Sequence, residues 1–286
     1  MSRNRERTGG AHQQNATPPP QAIQNAGGER EFAFVIPTEF VDLPSGGRFY
    51  REGHPLHGET SIEIKQMTAK EEDILTSRSL LKKGVALDRL IKSLIVDKRI
   101  DSNSLLVGDR NAILIAARIS GYGPEYETKV TCPACETSQE YGFNLADAHV
   151  YDGGLLVPEQ AVNNEDGTFT TTLPRTKLEI TFRLLNGRDE KNLLLQLESS
   201  RKSRKEETTV TSQLKQIIVA VNGTDDQDAI NYLVTNMPSM DARWLRVVYK
   251  AATPNVDLTQ NFECNDCDYD QAMEVPLTAD FFWPDR

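Results

Sequence analysis

Two short cysteine pairs constrain this chain more than anything else in it. Cys132-Pro133-Ala134-Cys135 and Cys264-Asn265-Asp266-Cys267 hold all four cysteines of a 286-residue sequence. A two-residue spacer lets both sulfurs of a turn face one ion while the backbone amides of the turn point at the thiolates, and two such knuckles complete a tetrahedral four-sulfur site. Strand-like residues flank each pair. Tyr126 to Val130 leads in and Tyr141 to Leu145 leads out of the first; Val256 to Phe262 and Ala272 to Leu277 do the same for the second. Each pair is therefore expected at the tip of a β-hairpin.

The two pairs are too far apart in sequence for a compact zinc ribbon, so tertiary packing must close the site. Zinc is the expected ion, with iron in the same four-sulfur geometry as the alternative. Structural zinc contributes about 10 to 16 kcal/mol in small peptides, as much as the whole stability of a typical domain. Such an ion would staple two halves of the chain together and leave no open position for catalysis. A redox CxxC needs an exposed, low-pKa thiolate, usually at a helix N-terminus, and neither pair precedes a helical pattern.

The cysteine pairs also sit in register within a longer repetition. At an offset of 132, Asp109 maps to Asp241, Ile113 to Leu245, Ala116 to Val248, Cys132 to Cys264, Cys135 to Cys267 and Leu145 to Leu277. The helical stripe Leu87, Leu90, Ile91 and Leu94 returns 127 residues later as Leu214, Ile217, Ile218 and Val221. Ile62 and Ile64 match Ile180 and Phe182 at an offset of 118, with Asp189 in the place of Glu71. Growing offsets mean insertions. One spans Asn222 to Asn236, where Ile230, Leu233 and Val234 suggest an added helix.

The expected fold is α+β: two tandem strand-helix-helix-hairpin repeats joined by a split four-cysteine, zinc-ribbon-like site. Residues 1–30, rich in Asn, Gln, Gly, Pro and Arg, read as a disordered tail. The first repeat spans 31–151, a linker with an Asp166-Gly167 hairpin signal spans 152–177, and the second repeat spans 178–286. Within the first repeat, Phe32 to Ile36 reads as a strand. Thr68-Ala69-Lys70-Glu71 has the spacing of a capping box, and Asp109 reads as the cap of a helix that Gly121 and Gly123 end.

Charge and hydropathy exclude several classes. Thirty-two basic against 42 acidic side chains leave a net charge of −10, which repels a phosphate backbone and disfavours non-specific nucleic-acid binding. Apolar runs such as Ala112 to Ala117 are far short of the about 20 residues a membrane span needs. No apolar segment follows Arg3, Arg5 and Arg7, so no secretory signal is read, and a reducing cytoplasm is the expected compartment. There thiols stay free.

No Walker-type phosphate loop, dinucleotide glycine fingerprint, HExxH or GxSxG is present, and nothing nominates a catalytic centre. His54-Pro55-Leu56-His57 reads as a turn with two exposed rings. Asp266, Asp268 and Asp270 begin like a calcium loop, but Gln271 and Leu277 stand where Gly and Glu are needed. Arg201, Lys202, Arg204 and Lys205 form a basic cluster, while residues 253–286 hold eight acidic side chains and only Arg286 as a base. These are candidate docking surfaces of opposite sign. Phe281, Phe282 and Trp283 near the end of the chain either close a core or anchor a partner chain.

The run from Pro37 through Tyr151 resembles the baseplate hub proteins of T-even-type contractile-tailed bacteriophages. Carrying the resemblance are Leu43-Pro44-Ser45-Gly46-Gly47-Arg48-Phe49-Tyr50, Thr68-Ala69-Lys70-Glu71-Glu72-Asp73-Ile74-Leu75, Leu106-Val107-Gly108-Asp109-Arg110-Asn111 and Cys132-Pro133-Ala134-Cys135. It implies a structural or assembly role in the tail baseplate, without catalysis, in a virion put together in the host cytoplasm. The implied partners are other hub, wedge or tube proteins. The second half departs from this pattern, with Gly187-Arg188-Asp189-Glu190 in place of the Glu-Glu-Asp stretch and Asn265-Asp266 in place of Pro-Ala. Two other readings fit the same residues: a zinc-ribbon adaptor of a transcription or replication complex, and a thiol oxidoreductase.

Overall fold

Alternation of apolar and polar residues sets the first strand pair. Strand β1 (Thr38–Asp42) runs antiparallel to β2 (Ser61–Lys65) with Val41 opposite Ile62. Val41, Ile62 and Ile64 point into the core, while Phe40 is 72% exposed. This computed structural model describes residues 35–157, 159–202, 209–276 and 279–282. The expected tail and residues 32–34 of the expected first strand lie outside them. Val35 and Ile36 are not in a strand; the ladder begins after Pro37, which has no N–H to give it.

Helices α1 (Ala69–Thr76), α2 (Arg78–Lys82) and α3 (Ala86–Leu94) follow. The capping box forms as the sequence requires, with Glu71 reaching back to the Thr68 N–H at 3.1 Å. Leu90, Ile91 and Leu94 bury the inner face of α3, but Leu87 turns outward. Past α3, Ile95 bridges to Ile64 at the edge of β2. Helix α4 (Val107–Tyr122) then leads through Gly123, at φ +85°, into the hairpin of β3 (Glu125–Thr131) and β4 (Ser138–Asn144), and β5 (His149–Tyr151) follows.

The stretch between 152 and 177 holds β6 (Val162–Asn163) and β7 (Thr168–Thr172), joined across Asp166-Gly167. Strand β7 pairs with β8 (Glu179–Arg183), so the segment read as linker supplies two strands of a four-stranded antiparallel sheet. Helices α5 (Gly187–Lys202) and α6 (Thr209–Ile217) precede β9 (Ile218–Val221), the fourth strand of that sheet. The stripe expected to be helical through Val221 is therefore split, with Leu214 and Ile217 on α6 and Ile218 and Val221 on β9. Phe182 faces Ile218 as Ile64 faces Ile95, two pairings that correspond at an offset of 123 between Ile95 and Ile218. That differs by four residues, about one helical turn, from the offset of 127 at which the apolar stripes match, and such a shift leaves an apolar stripe superimposed on itself.

The added helix is α7 (Gln227–Asn236), capped by the Asp226 carboxylate and burying Ile230 and Val234. Helix α8 (Ser239–Ala252), β10 (Asn255–Asp257), β11 (Thr259–Glu263) and β12 (Asp270–Glu274) complete the order. Strand β10 pairs with β5. The earlier and later elements interlock: Val107 donates to the Leu185 carbonyl at 3.1 Å, and Gly187 to that of Leu105 at 3.0 Å. Among the described residues, no helix is long and apolar enough to cross a membrane.

Candidate metal centre

The β3–β4 and β11–β12 hairpins place the knuckles side by side. Their ladders alternate, so Tyr126, Val130 and Phe143 of one and Phe262 of the other are buried between them. Tyr141 packs edge-on against Phe262 with ring centres 5.0 Å apart. Polar side chains tie the strands together: Gln139 donates to the Glu263 carbonyl at 3.1 Å and accepts from the Asn265 N–H at 2.9 Å, and Gln260 bridges both backbone groups of Asn144.

Each knuckle closes in the same way. The Cys132 N–H donates to the Thr137 carbonyl and the Cys264 N–H to that of Tyr269, both at 2.9 Å. The Ala134 N–H points at the Cys132 sulfur at 3.4 Å, and the Asp266 N–H at the Cys264 sulfur at 3.5 Å. Donors so placed stabilise thiolate. Cys132 and Cys264 are buried, Cys267 is half-buried and Cys135 is exposed.

All four Sγ atoms lie within 4.8 Å of one another, with Cys132 to Cys267 at 3.8 Å and Cys135 to Cys264 at 3.7 Å. Disulfides would need about 2.05 Å. A tetrahedral ion about 2.3 Å from each sulfur sets neighbouring sulfurs about 3.8 Å apart, so the donor set fits a metal of that size. Protons are shared unequally among the thiols. Hydrogen bonds from the Thr137 side chain and backbone pull Cys135 down to about 6. At Cys267 the Tyr269 N–H pulls the same way, but burial and the neighbouring sulfurs outweigh it and push the thiol up to about 12.

Two buried carboxylates hold the helices that precede these hairpins, and one of them has a different role from the helix cap expected of it. Asp109 does not cap α4, whose preceding residue is Leu106. Instead Asp109 accepts from the Ser45 N–H at 3.0 Å, the Ser45 hydroxyl at 2.7 Å and the Tyr50 hydroxyl at 2.7 Å. Burial pushes its carboxyl up despite these donors. Asp241, on α8, accepts from the Arg175 N–H at 2.7 Å and the Thr176 N–H at 3.0 Å. Both turns begin with Leu-Pro, at Leu43-Pro44 and Leu173-Pro174, a signal that could have revealed the pairing. A second pair repeats too: Lys65 binds Glu71 at 2.9 Å, and Arg183 binds Asp189 at 2.6 Å, each 118 residues after its counterpart.

The other sequence candidates scatter. Phe281 and Phe282 face inward, with Phe281 edge-on to Tyr126 at 5.3 Å, so neither presents a ring to a partner. Buried Arg118 holds this segment by donating to the Phe281 carbonyl at 2.6 Å, and to those of Gly123 and Glu125. Trp283, Arg204 and Lys205 lie outside the described residues; Arg201 and Lys202 end α5, and their side chains lie outside them too. The two histidine rings are not both exposed: His54 is half-buried, stacked on Tyr50 at 4.4 Å and 2.8 Å from the Ser104 hydroxyl. His57 contacts the Tyr50 carbonyl at 2.6 Å.

Comparison with known proteins adds what geometry alone does not. No curated protein and no solved structure matches the chain. The model of the family described as T4 bacteriophage base plate protein matches residues 36–169 and 165–282. The match extends through the second half, where the sequence resemblance stopped short, and each matched segment contributes one knuckle to the four-sulfur cluster. The chain therefore belongs to the T4 bacteriophage base plate protein family.

Proposed function

We propose that the protein is a non-enzymatic structural or assembly component of the baseplate hub of a contractile phage tail, assembled in the host cytoplasm, in which one zinc ion staples two tandem α+β repeats. The observation that carries this reading is the sulfur cluster, built from two knuckles on separately matched segments. Four closed protein ligands suit a structural ion and leave no position for a reacting water. The paired anchors at Asp109 and Asp241, and at Glu71 and Asp189, favour a duplication in which the second repeat begins with β7. Rigid repeats fixed at a shared ion give partner proteins a surface of set geometry. The cluster of Arg201, Lys202, Arg204 and Lys205 is a further candidate contact for hub, wedge or tube proteins.

Native mass spectrometry of the full chain, alone and mixed with tail proteins, tests both parts. One zinc per chain and a stoichiometric complex with a tail protein are expected. Iron in its place would show as visible absorption. A chain that carries no metal and joins no tail protein would overturn the staple and the hub role together.

A further inference from the structure

The chain is acidic overall, yet one groove gathers cations. It is about 640 Å³ in volume, lies among α1, α2, α3 and the start of α5, and has half-buried Ile74, Leu80 and Val85 along its floor. Lys70, Arg89, Lys92 and Lys191 form its rim. All four are exposed, and none has an ion-pair partner among the described residues. The groove's carboxylate, Asp88, is held by Arg110 at 2.6 Å and does not neutralise the rim. One turn beyond Lys191, Leu194 and Leu195 are more than half exposed.

The knuckle end of the molecule has the inverse pattern. Pro133 and Ala134 make an exposed apolar tip, and Glu136, Asp266 and Asp268 are exposed on the same two knuckles. Four thiolates around one divalent ion would add further negative charge. No residue of either hairpin lines the groove, so the chain does not satisfy the match within itself.

An apolar tip in an acidic collar complements an apolar floor inside a basic rim. We propose that the groove of one copy receives the knuckle end of a second copy. Each copy then offers one groove and one knuckle end, a heterologous contact that closes into a ring or continues as a file. The pairing does not rest on the baseplate reading. Because the charges are exposed, salt screens them over about 10 Å at 0.1 M, and association weakens as salt is added.

Sedimentation velocity of the full chain over a range of concentrations, at low and high salt, is the test. Concentration-dependent oligomers that dissociate at high salt are expected. The double variants Arg89→Glu with Lys92→Glu, and Glu136→Lys with Asp268→Lys, should each weaken self-association by about tenfold or more. Mixing the two should restore it, because a reversed groove then meets a reversed knuckle end. Circular dichroism and metal content matching the wild type verify the fold. A wild-type chain that stays monomeric at every concentration and salt, or an oligomer that survives both reversals, overturns the proposal.

Discussion

Glu71 has no exposed side-chain surface and takes hydrogen bonds from Lys65, Ser93 and both the N–H and hydroxyl of Thr68. Burial alone would raise its pKa, but these donors prevail and hold the carboxyl at about 2, below its ordinary value of 4.5. A group depressed in the folded state contributes stability above its unfolded pKa, and that contribution is lost as pH falls toward the folded value. Urea unfolding in steps from neutral pH downward is expected to show stability falling between about pH 4.5 and pH 2. Glu71→Gln should be less stable by about 1 to 3 kcal/mol at neutral pH, with a shallower fall in that window. Superimposable profiles would show that the charge is not what anchors α1. Asp241 ties α8 to the turn at Arg175 and Thr176 by accepting from two backbone N–H groups. Asp241→Ala leaves both without their acceptor, and a loss of about 2 to 4 kcal/mol is expected in the same assay.

Helix α4 meets a neighbouring segment backbone to backbone at Gly108. A Cβ at Gly108 would overlap the Pro254 carbonyl, so the backbone of α4 lies directly against the chain entering β10. Gly108→Ala is expected to cost about 1 to 3 kcal/mol through overpacking, visible as a lower melting temperature. A variant as stable as wild type would mean that β10 yields easily. Arg118, near the other end of α4, gives three carbonyls their donors. Arg118→Met should free the segment at Phe281, raising the hydrogen-exchange rates of 279–282 ahead of those in α4 itself. The hairpins were legible in the sequence because a CxxC turn and its alternating flanks are local signals. The stripe of α3 was legible as a helix, but Leu214 to Val221 carries the same apolar spacing and is half helix and half strand, because a short apolar run fits either period. The Asp109 anchor was legible only through the matching Leu-Pro turns: its partners come from a turn 64 residues away, and an acidic residue in a first helical turn resembles a cap. For Phe281 and Phe282 the sequence leaves a core role and a partner role both open, with only the spacing of 132 residues between Tyr151 and Trp283 on the side of the core, and the packing of Phe281 against Tyr126 and Phe282 decides it.

At the scale of the molecule, the two knuckles join segments 129 and 135 residues apart. An ion bound there would tie segments of that separation together in the fold, and because the four sulfurs meet only when both hairpins are folded, its binding free energy would be folding free energy. Chelation of the intact protein is expected to lower the melting temperature of both halves together. Cys264→Ser should do the same, with one transition by calorimetry in each case. Two separated transitions in that variant, one near the wild-type temperature, would show that the halves do not share the ion. The sequence separation of the knuckles also orders events during synthesis. When Cys132 and Cys135 have left the ribosome, Cys264 and Cys267 have yet to be translated. An ion that reaches the first knuckle early finds two ligands and open coordination, from which it exchanges readily. Full coordination would wait for the second knuckle, so secure retention of a metal would report that translation has passed Cys267 and that both hairpins have folded against each other.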